Sequence, residues 1–194
     1  MTETSLTTDR ILDAAEEVLR RFGPAKTTVV DVARALDVSH GTIYRYYPSK
    51  AALRDAVAER WLHRVAAPLE QIAHSEGAPV EQLRAWLDRL IALKRQKSFN
   101  DPELFTLYNS LAEQAGAAVD VHVAELIGHL ALIIGRGVQQ GVFAVPDVQA
   151  AARGVFSATA KFHHPALAAN WRDPLIDADF AEVWRLLLSG LVNG

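Results

Sequence analysis

The sequence predicts an all-α protein, and three observations carry that prediction. Apolar residues recur at spacings of three and four along the whole chain of 194 residues. No stretch of useful length alternates with period two, so a sheet is not expected. Caps, glycines and prolines stand where the apolar runs begin and end. Half of the residues are apolar, enough for a sizeable core in one large domain or two smaller ones.

The elements follow in order. Thr7 and Thr8 cap a first helix over about 8–22, with Ile11, Ala15, Val18, Leu19 and Phe22 on its stripe and Gly23-Pro24 at its end. Thr28 precedes Val29, Val32, Ala33 and Leu36, with Asp31 three residues on as a shortened capping box and Asp37 as the turn residue. Ser39 caps a third helix, 40–46, whose Ile43 and Tyr47 face inward and which Pro48 stops. From Ser49 a long fourth helix carries Leu53, Val57, Trp61 and Val65 and is expected to kink or break at Pro68. After "HSEGAP", Leu83, Trp86, Leu87, Leu90 and Ile91 mark a fifth. "NDP" opens a sixth, with Pro102 first and Leu104, Phe105, Tyr108 and Leu111 on its stripe. A seventh runs over about 117–140 to Gly141, and "VPD" opens an eighth over 147–162. "DPLIDAD" leads into a ninth with Phe180, Val183, Trp184, Leu187, Leu188 and Leu191.

Composition excludes several classes of function. The chain has no cysteine, hence no disulfide framework, thiol nucleophile or thiolate metal site, which suits a reducing cytoplasm. It has no glycine-rich phosphate loop and no G-x-S-x-G elbow, and its carboxylates are scattered, so neither an enzyme nor a bound cofactor is expected. His163 and His164 stand side by side before a proline, and His122 and His129 are two helical turns apart. A metal site is therefore not expected. The start, "MTETSLTTDR", is too polar for a signal peptide, and no wholly apolar run reaches the ~18 residues of a membrane span.

The net charge of −3 hides a local asymmetry. Residues 1–54 carry eight Lys or Arg against seven acids, and residues 55–194 carry twelve against sixteen. After Asp37 the next acid is Asp55, and His40, Arg45, Lys50 and Arg54 lie between them. An anionic partner is expected there. Two short helices joined by "LDVS" have the form of a helix-turn-helix, whose second helix enters the major groove of DNA. Gly41 lets that helix approach closely, while Ser39 and Thr42 offer hydroxyls to phosphates or base edges. Tyr44, Arg45 and Tyr46 are consecutive, so at least two must project outward. Lys50 adds a phosphate-seeking charge at the next helix start.

From "TDRILDAAEEVLRRFG" through "TTVVDVARALDVSHGTIYRYYPSKAALRDAV" the chain resembles the DNA-binding domain of the TetR family of bacterial transcriptional regulators. The resemblance implies an N-terminal three-helix DNA-binding domain, 1–54, and a C-terminal helical effector-binding and dimerisation domain, 55–194. It makes Thr28 a phosphate contact, puts His40, Gly41 and Thr42 at the groove-facing start of the recognition helix, and gives Tyr44, Tyr46 and Lys50 a grip on phosphates. Arg45 falls where a side chain often touches DNA, and Tyr47 where an aromatic packs inward. Two positions depart from the pattern: Val30 replaces a basic or polar residue, and Asp37 a turn glycine. The implied protein is a repressor that binds an inverted-repeat operator on double-stranded DNA as a homodimer and is released by a small effector.

The last two helices are expected to form the dimer interface. Ala151, Ala152, Gly154, Val155 and Ala158 allow close approach, and Phe180, Trp184, Leu187, Leu188 and Leu191 add more apolar surface than a terminal helix needs. Trp61, Trp86, Phe105, Tyr108 and Phe156 are candidate linings of a pocket, with Arg89 and His122 as polar anchors, for an apolar or aromatic effector bearing one polar or anionic group. The fourth helix is the expected coupling element. The alternative is a C-terminal domain that serves as a dimer or protein-interaction scaffold with no small-molecule ligand.

Overall fold

The computed structural model describes residues 6–100 and 102–193. The polar segment 1–5 and Asp101 of the "NDP" start lie outside the described residues. The helices are α1 (Thr8–Lys26), α2 (Val29–Ala35), α3 (His40–Tyr46), α4 (Lys50–His74), α5 (Pro79–Asn100), α6 (Pro102–Gln114), α7 (Gly116–Gln139), α8 (Val148–Ala158), α9 (Ala160–His163) and α10 (Ile176–Asn193). A 3-10 helix, Pro165–Arg172, precedes the last, and no strand occurs among the described residues. The fold is all-α, as the periodicity predicts. The chain divides into two compact units, Met1–Leu62 with Glu103–Val119, and His63–Pro102 with Asp120–Gly194.

In the first unit, Ile11, Ala15, Val18 and Leu19 of α1 are buried with Val32, Ile43, Leu53 and Val57. The Thr7 side chain accepts from the Arg10 N–H, and the regular helix is interrupted at Gly23, whose φ of 76 and ψ of 165 are non-helical, where Gly23-Pro24 was expected to end it; a further turn carries α1 to Lys26. Thr28 and Asp31 form the reciprocal capping box: the Thr28 N–H donates to Asp31 Oδ2 at 3.0 Å and the Asp31 N–H to Thr28 Oγ1 at 3.2 Å. The hydrogen bonds from Thr28 hold the Asp31 carboxyl below its usual range. Arg60 of α4 reaches back to α1, donating to Glu16 Oε1 and Asp13 Oδ1, each at 2.9 Å. Arg54 donates to Gln114 Oε1 at 3.0 Å, and Trp61 stacks on Tyr108 at 5.1 Å, so α6 belongs to this core.

The turn between α2 and α3 is a Schellman motif. The Val38 N–H donates to Ala33 O at 3.0 Å and the Asp37 N–H to Arg34 O at 3.2 Å. The motif places Asp37 in the left-handed region, at φ 54, where glycine is free of strain. Asp37→Gly is therefore expected to raise unfolding free energy by about 0.5–1 kcal/mol. A urea midpoint that falls in that variant would contradict this account of the turn.

The second unit packs Leu83, Trp86, Leu87 and Leu90 of α5 with Leu126, Leu130, Ile133 and Ile134 of α7. Phe162 meets Phe180 at 5.1 Å, and Arg95 donates to Asp177 Oδ1 at 2.6 Å, bringing α10 into the same core. By length and mean hydropathy, α7 alone among the described helices is long and apolar enough to cross a membrane, although Asp120, Glu125 and Arg136 interrupt its apolar run. Its buried face is part of this core.

Two further expectations are corrected. The fourth helix does not break at Pro68: α4 runs through it, held beyond by the buried Leu69 and Ala73. The eighth helix ends early, because the Thr159 hydroxyl donates back to Val155 O at 2.9 Å and the chain restarts as the short α9.

Candidate functional sites

The segment from Ser39 to Lys50 is built outward from two anchors. Ile43 and Tyr47 are buried in the first unit's core, which turns His40, Gly41, Tyr44, Arg45 and Tyr46 to solvent. Ser39 caps α3, its Oγ accepting from the Thr42 N–H at 3.2 Å and pairing with the Thr42 hydroxyl at 2.9 Å. At Gly41 an added Cβ would meet only Ser39 Oγ, at 3.8 Å. The glycine is not needed for the fold of α3. The His40 and Tyr44 rings meet edge to face at 6.3 Å, and the Tyr46 hydroxyl donates to Leu6 O at 2.9 Å.

A second group of candidate residues stands at the starts of α2 and α4. Lys50 Nζ lies 3.5 Å from Ala25 O, and Thr28, Lys50 and Arg54 line one small cleft. A hydroxyl, an ammonium and a guanidinium are thus gathered at the starts of α2 and α4. Arg54 is an addition to the sequence-derived set. It is held toward Asp55 Oδ1 at 3.1 Å, a local pairing that charge counting sees only as one more cation. Val30 stands exposed on α2, offering this face no polar group.

The residues expected at a dimer interface separate into two sets. Ala151, Gly154, Val155, Ala158, Leu187 and Leu191 line an open apolar groove between α8 and α10. Phe180 and Trp184 pack within their own unit, with the Arg84 guanidinium 4.8 Å from the first ring and 5.6 Å from the second. Leu188 packs, partly buried, against the same core. Leu186, which also lines the groove, is 63% exposed and escaped the sequence reading because it lies off the inward-facing stripe.

The candidate pocket residues are also divided. Trp61, Phe105 and Tyr108 lie in the first unit, all buried, and Trp86, Arg89, His122 and Phe156 in the second. Arg89 is exposed on α5. The buried cation of that helix is Lys94, at a position on the same face as Trp86 and Leu90. Burial, then the like charge of Lys97, lowers its ammonium to about 8. Burial pushes His122 down to about 3, with Lys94 and His129 adding to it, and it pushes His163 down to about 4 against the pull of its bond to Phe156 O. Burial also lowers His129. These imidazoles are neutral at pH 7. His163 is satisfied by Thr159 Oγ1 and Phe156 O, each at 3.3 Å, whereas neither ring nitrogen of His122 has a hydrogen-bond partner among the described residues.

Comparison with known proteins finds a family model for each half of the chain. Residues 11–57 match the family model described as bacterial regulatory proteins, tetR family, and residues 79–184 match that of the tetracyclin repressor-like C-terminal domain. An uncharacterized HTH-type transcriptional regulator of Mycobacterium tuberculosis is 36% identical over 80 residues, 41% of this chain and 40% of that protein. The HTH-type transcriptional repressor KstR of Mycolicibacterium smegmatis is 30% identical over 119 residues, 61% of this chain and 57% of its own length. The match thus spans roughly half the length of such curated relatives. Among solved structures, the transcriptional regulator FadR of Bacillus subtilis, in complex with stearoyl-CoA, superposes with a TM-score of 0.65 at 19% identity, covering 95% of this chain and all of that one.

Proposed function

The chain belongs to the TetR family of bacterial transcriptional regulators, which are DNA-binding proteins and not enzymes, and from that membership we propose that it is a cytoplasmic repressor. In this reading it binds an inverted-repeat operator as a homodimer and leaves it when a small effector occupies the C-terminal domain, 55–194. The observation that carries the reading is the exposed face of α3, where His40, Gly41, Tyr44, Arg45 and Tyr46 stand over two buried anchors in a stretch with no acid between Asp37 and Asp55.

The roles follow from chemistry. His40, Gly41 and Thr42 meet base edges at the start of the recognition helix. Thr28, Tyr44, Tyr46 and Lys50 hold phosphates on either side, and Arg45 adds a charged contact. Ser39 fixes the start of the helix by capping it. Binding that depends on phosphate neutralisation weakens with salt, and each phosphate that a cation neutralises on B-DNA adds about 0.9 to the logarithmic slope. Lys50→Ala is expected to reduce that slope by about 0.9, and Tyr46→Phe to weaken binding with the slope unchanged. Unaltered operator affinity in both variants, measured by fluorescence anisotropy across a salt series, would overturn the assigned grip.

The groove between α8 and α10 is the proposed homodimer interface, since a second copy would cover an apolar surface that includes the exposed Leu186. Leu186→Glu is expected to give a helical monomer in sedimentation equilibrium and to lower operator affinity at least about a hundredfold, one half-site being held instead of two. A variant that stays dimeric would place the interface elsewhere. The effector is proposed to lie in the second unit, near Trp86, His122 and Phe156. The chain passes from the first unit to the second within α4, which makes that helix the natural carrier of the coupling. A hundredfold change in operator affinity requires only about 2.7 kcal/mol of differential effector binding between the two dimer states.

A further inference from the structure

The side chains of α3 make few polar contacts with the rest of the first unit. Ser39 and Thr42 bond to each other at the helix start. Among the described residues one side-chain hydrogen bond leaves the helix: the Tyr46 hydroxyl donates to Leu6 O at 2.9 Å, across 40 positions of sequence. Leu6 stands just before α1, where Thr7 caps the helix and Thr7 O accepts from the Ile11 N–H at 3.1 Å. The Leu6 side chain packs, partly buried, against the first unit's core, which holds its carbonyl within reach of α3. The contact ties the entry of the first helix to the end of the third.

A phenol hydroxyl carries one hydrogen, while a carbonyl oxygen and a phosphate oxygen only accept. Tyr46 therefore cannot donate to Leu6 O and to a phosphate at the same time. The residue is 41% exposed and the bond lies at the surface, so water can satisfy the Leu6 carbonyl when the hydroxyl turns away. A hydrogen bond to an ionised acceptor is roughly twice as strong as one to a neutral carbonyl. With a phosphate in reach, the exchange runs toward the phosphate. Tyr44 differs from Tyr46 in this respect. It is equally exposed and its ring meets His40 at 6.3 Å, but its hydroxyl has no hydrogen-bond partner among the described residues and so has none to give up.

We infer that Tyr46 is an exchange contact. In the free protein its hydroxyl latches the entry of α1 to the recognition helix; on DNA the hydroxyl turns to a phosphate and releases Leu6 O. Binding of DNA is thereby felt at the entry of α1, and Tyr46 adds to affinity only the difference between two hydrogen bonds. The inference rests on the reading of α3 as the helix that faces DNA.

The test is nuclear magnetic resonance of the full chain. Leu6-Thr7 is the only Leu-Thr pair in the sequence, so carbonyl ¹³C in leucine and ¹⁵N in threonine together give a single signal from the Leu6 carbonyl. In the free protein, Tyr46→Phe is expected to move this signal and Tyr44→Phe to leave it in place. The duplex that the protein selects from genomic fragments should move the wild-type signal the same way, and leave the Tyr46→Phe signal where it already stands. Affinity for that duplex should fall about three- to tenfold in Tyr46→Phe, less than the loss of a whole bond to a charged group. A free-protein signal unmoved by Tyr46→Phe, or moved as much by Tyr44→Phe, overturns the latch without reference to DNA. A wild-type signal unmoved by the duplex overturns the exchange. The DNA-facing reading of α3 then stands if Tyr46→Phe or Tyr44→Phe binds the duplex more weakly, and falls as well if neither does. A signal that the duplex moves equally in wild type and Tyr46→Phe reports only the nearness of DNA and also overturns the exchange.

Discussion

Replacement of Gly41 by leucine is expected to leave the protein folded and to remove specific operator binding. The expectation combines what is observed at this position with the role proposed for it. In the free protein the glycine is exposed, it does not adopt a positive φ, and a Cβ there would meet only Ser39 Oγ at 3.8 Å. Leucine is also the better helix former, so stability should hold or rise by up to about 1 kcal/mol. In the proposed complex the same position faces the groove at the start of the recognition helix, where a side chain would hold the helix away from the base edges. Specific binding commonly exceeds non-specific binding by about 10³ or more, and the loss should be a large part of that ratio. Residual affinity should be sequence-independent and strongly salt-dependent. A Gly41→Leu protein that binds the operator normally would remove α3 from the groove.

The second large effect is on stability against pH. His122 and His163 titrate near 3 and 4 in the folded chain because burial opposes their charged forms, while unfolded histidine titrates near about 6.5. The unfolded state therefore binds more protons throughout the interval between these values, and stability rises with pH across it. The contribution is complete above about pH 6.5 and is lost as pH falls toward the folded values. From pH 7 to pH 5 the two groups together should remove on the order of 3–4 kcal/mol, a large part of a typical domain's stability. Ordinary carboxylates change little in that window, so the histidines dominate it. His122→Phe should reduce the loss by about half. Denaturant midpoints that do not move between pH 7 and pH 5 would show that these imidazoles are not buried in the neutral form.

What was legible in the sequence was what local chemistry decides. Thr7, Thr28, Ser39 and Asp147 each accept the capping hydrogen bond that their positions imply, and α3 occupies 40–46 as the cap at Ser39 and the stop at Pro48 require. Asp37 takes the left-handed conformation that its place in the turn demands. Where tertiary burial outweighs local preference, local sequence does not decide the structure. Pro68 is carried within α4 by the packing beyond it, and Thr159 ends α8 by a back-bond that periodicity does not register. Pairings distant in sequence left no local signal, such as the stacking of Trp61 on Tyr108 that places α6 in the first unit. Lys94 could have been found, since it extends the stripe of Trp86 and Leu90 by one turn, but a lysine at the end of an apolar stripe reads as solvated until its burial is known.

The chain is proposed to be a dimeric, sequence-specific DNA-binding repressor. The most direct test of this is to let the purified protein select from fragmented genomic DNA, then footprint the strongest site and determine the number of chains bound. The account predicts an inverted repeat protected on two half-sites, whose centres lie about 34–36 Å or a multiple apart, with an even number of chains per site. Selection of no common sequence, or protection of a single asymmetric site by one chain, would contradict it.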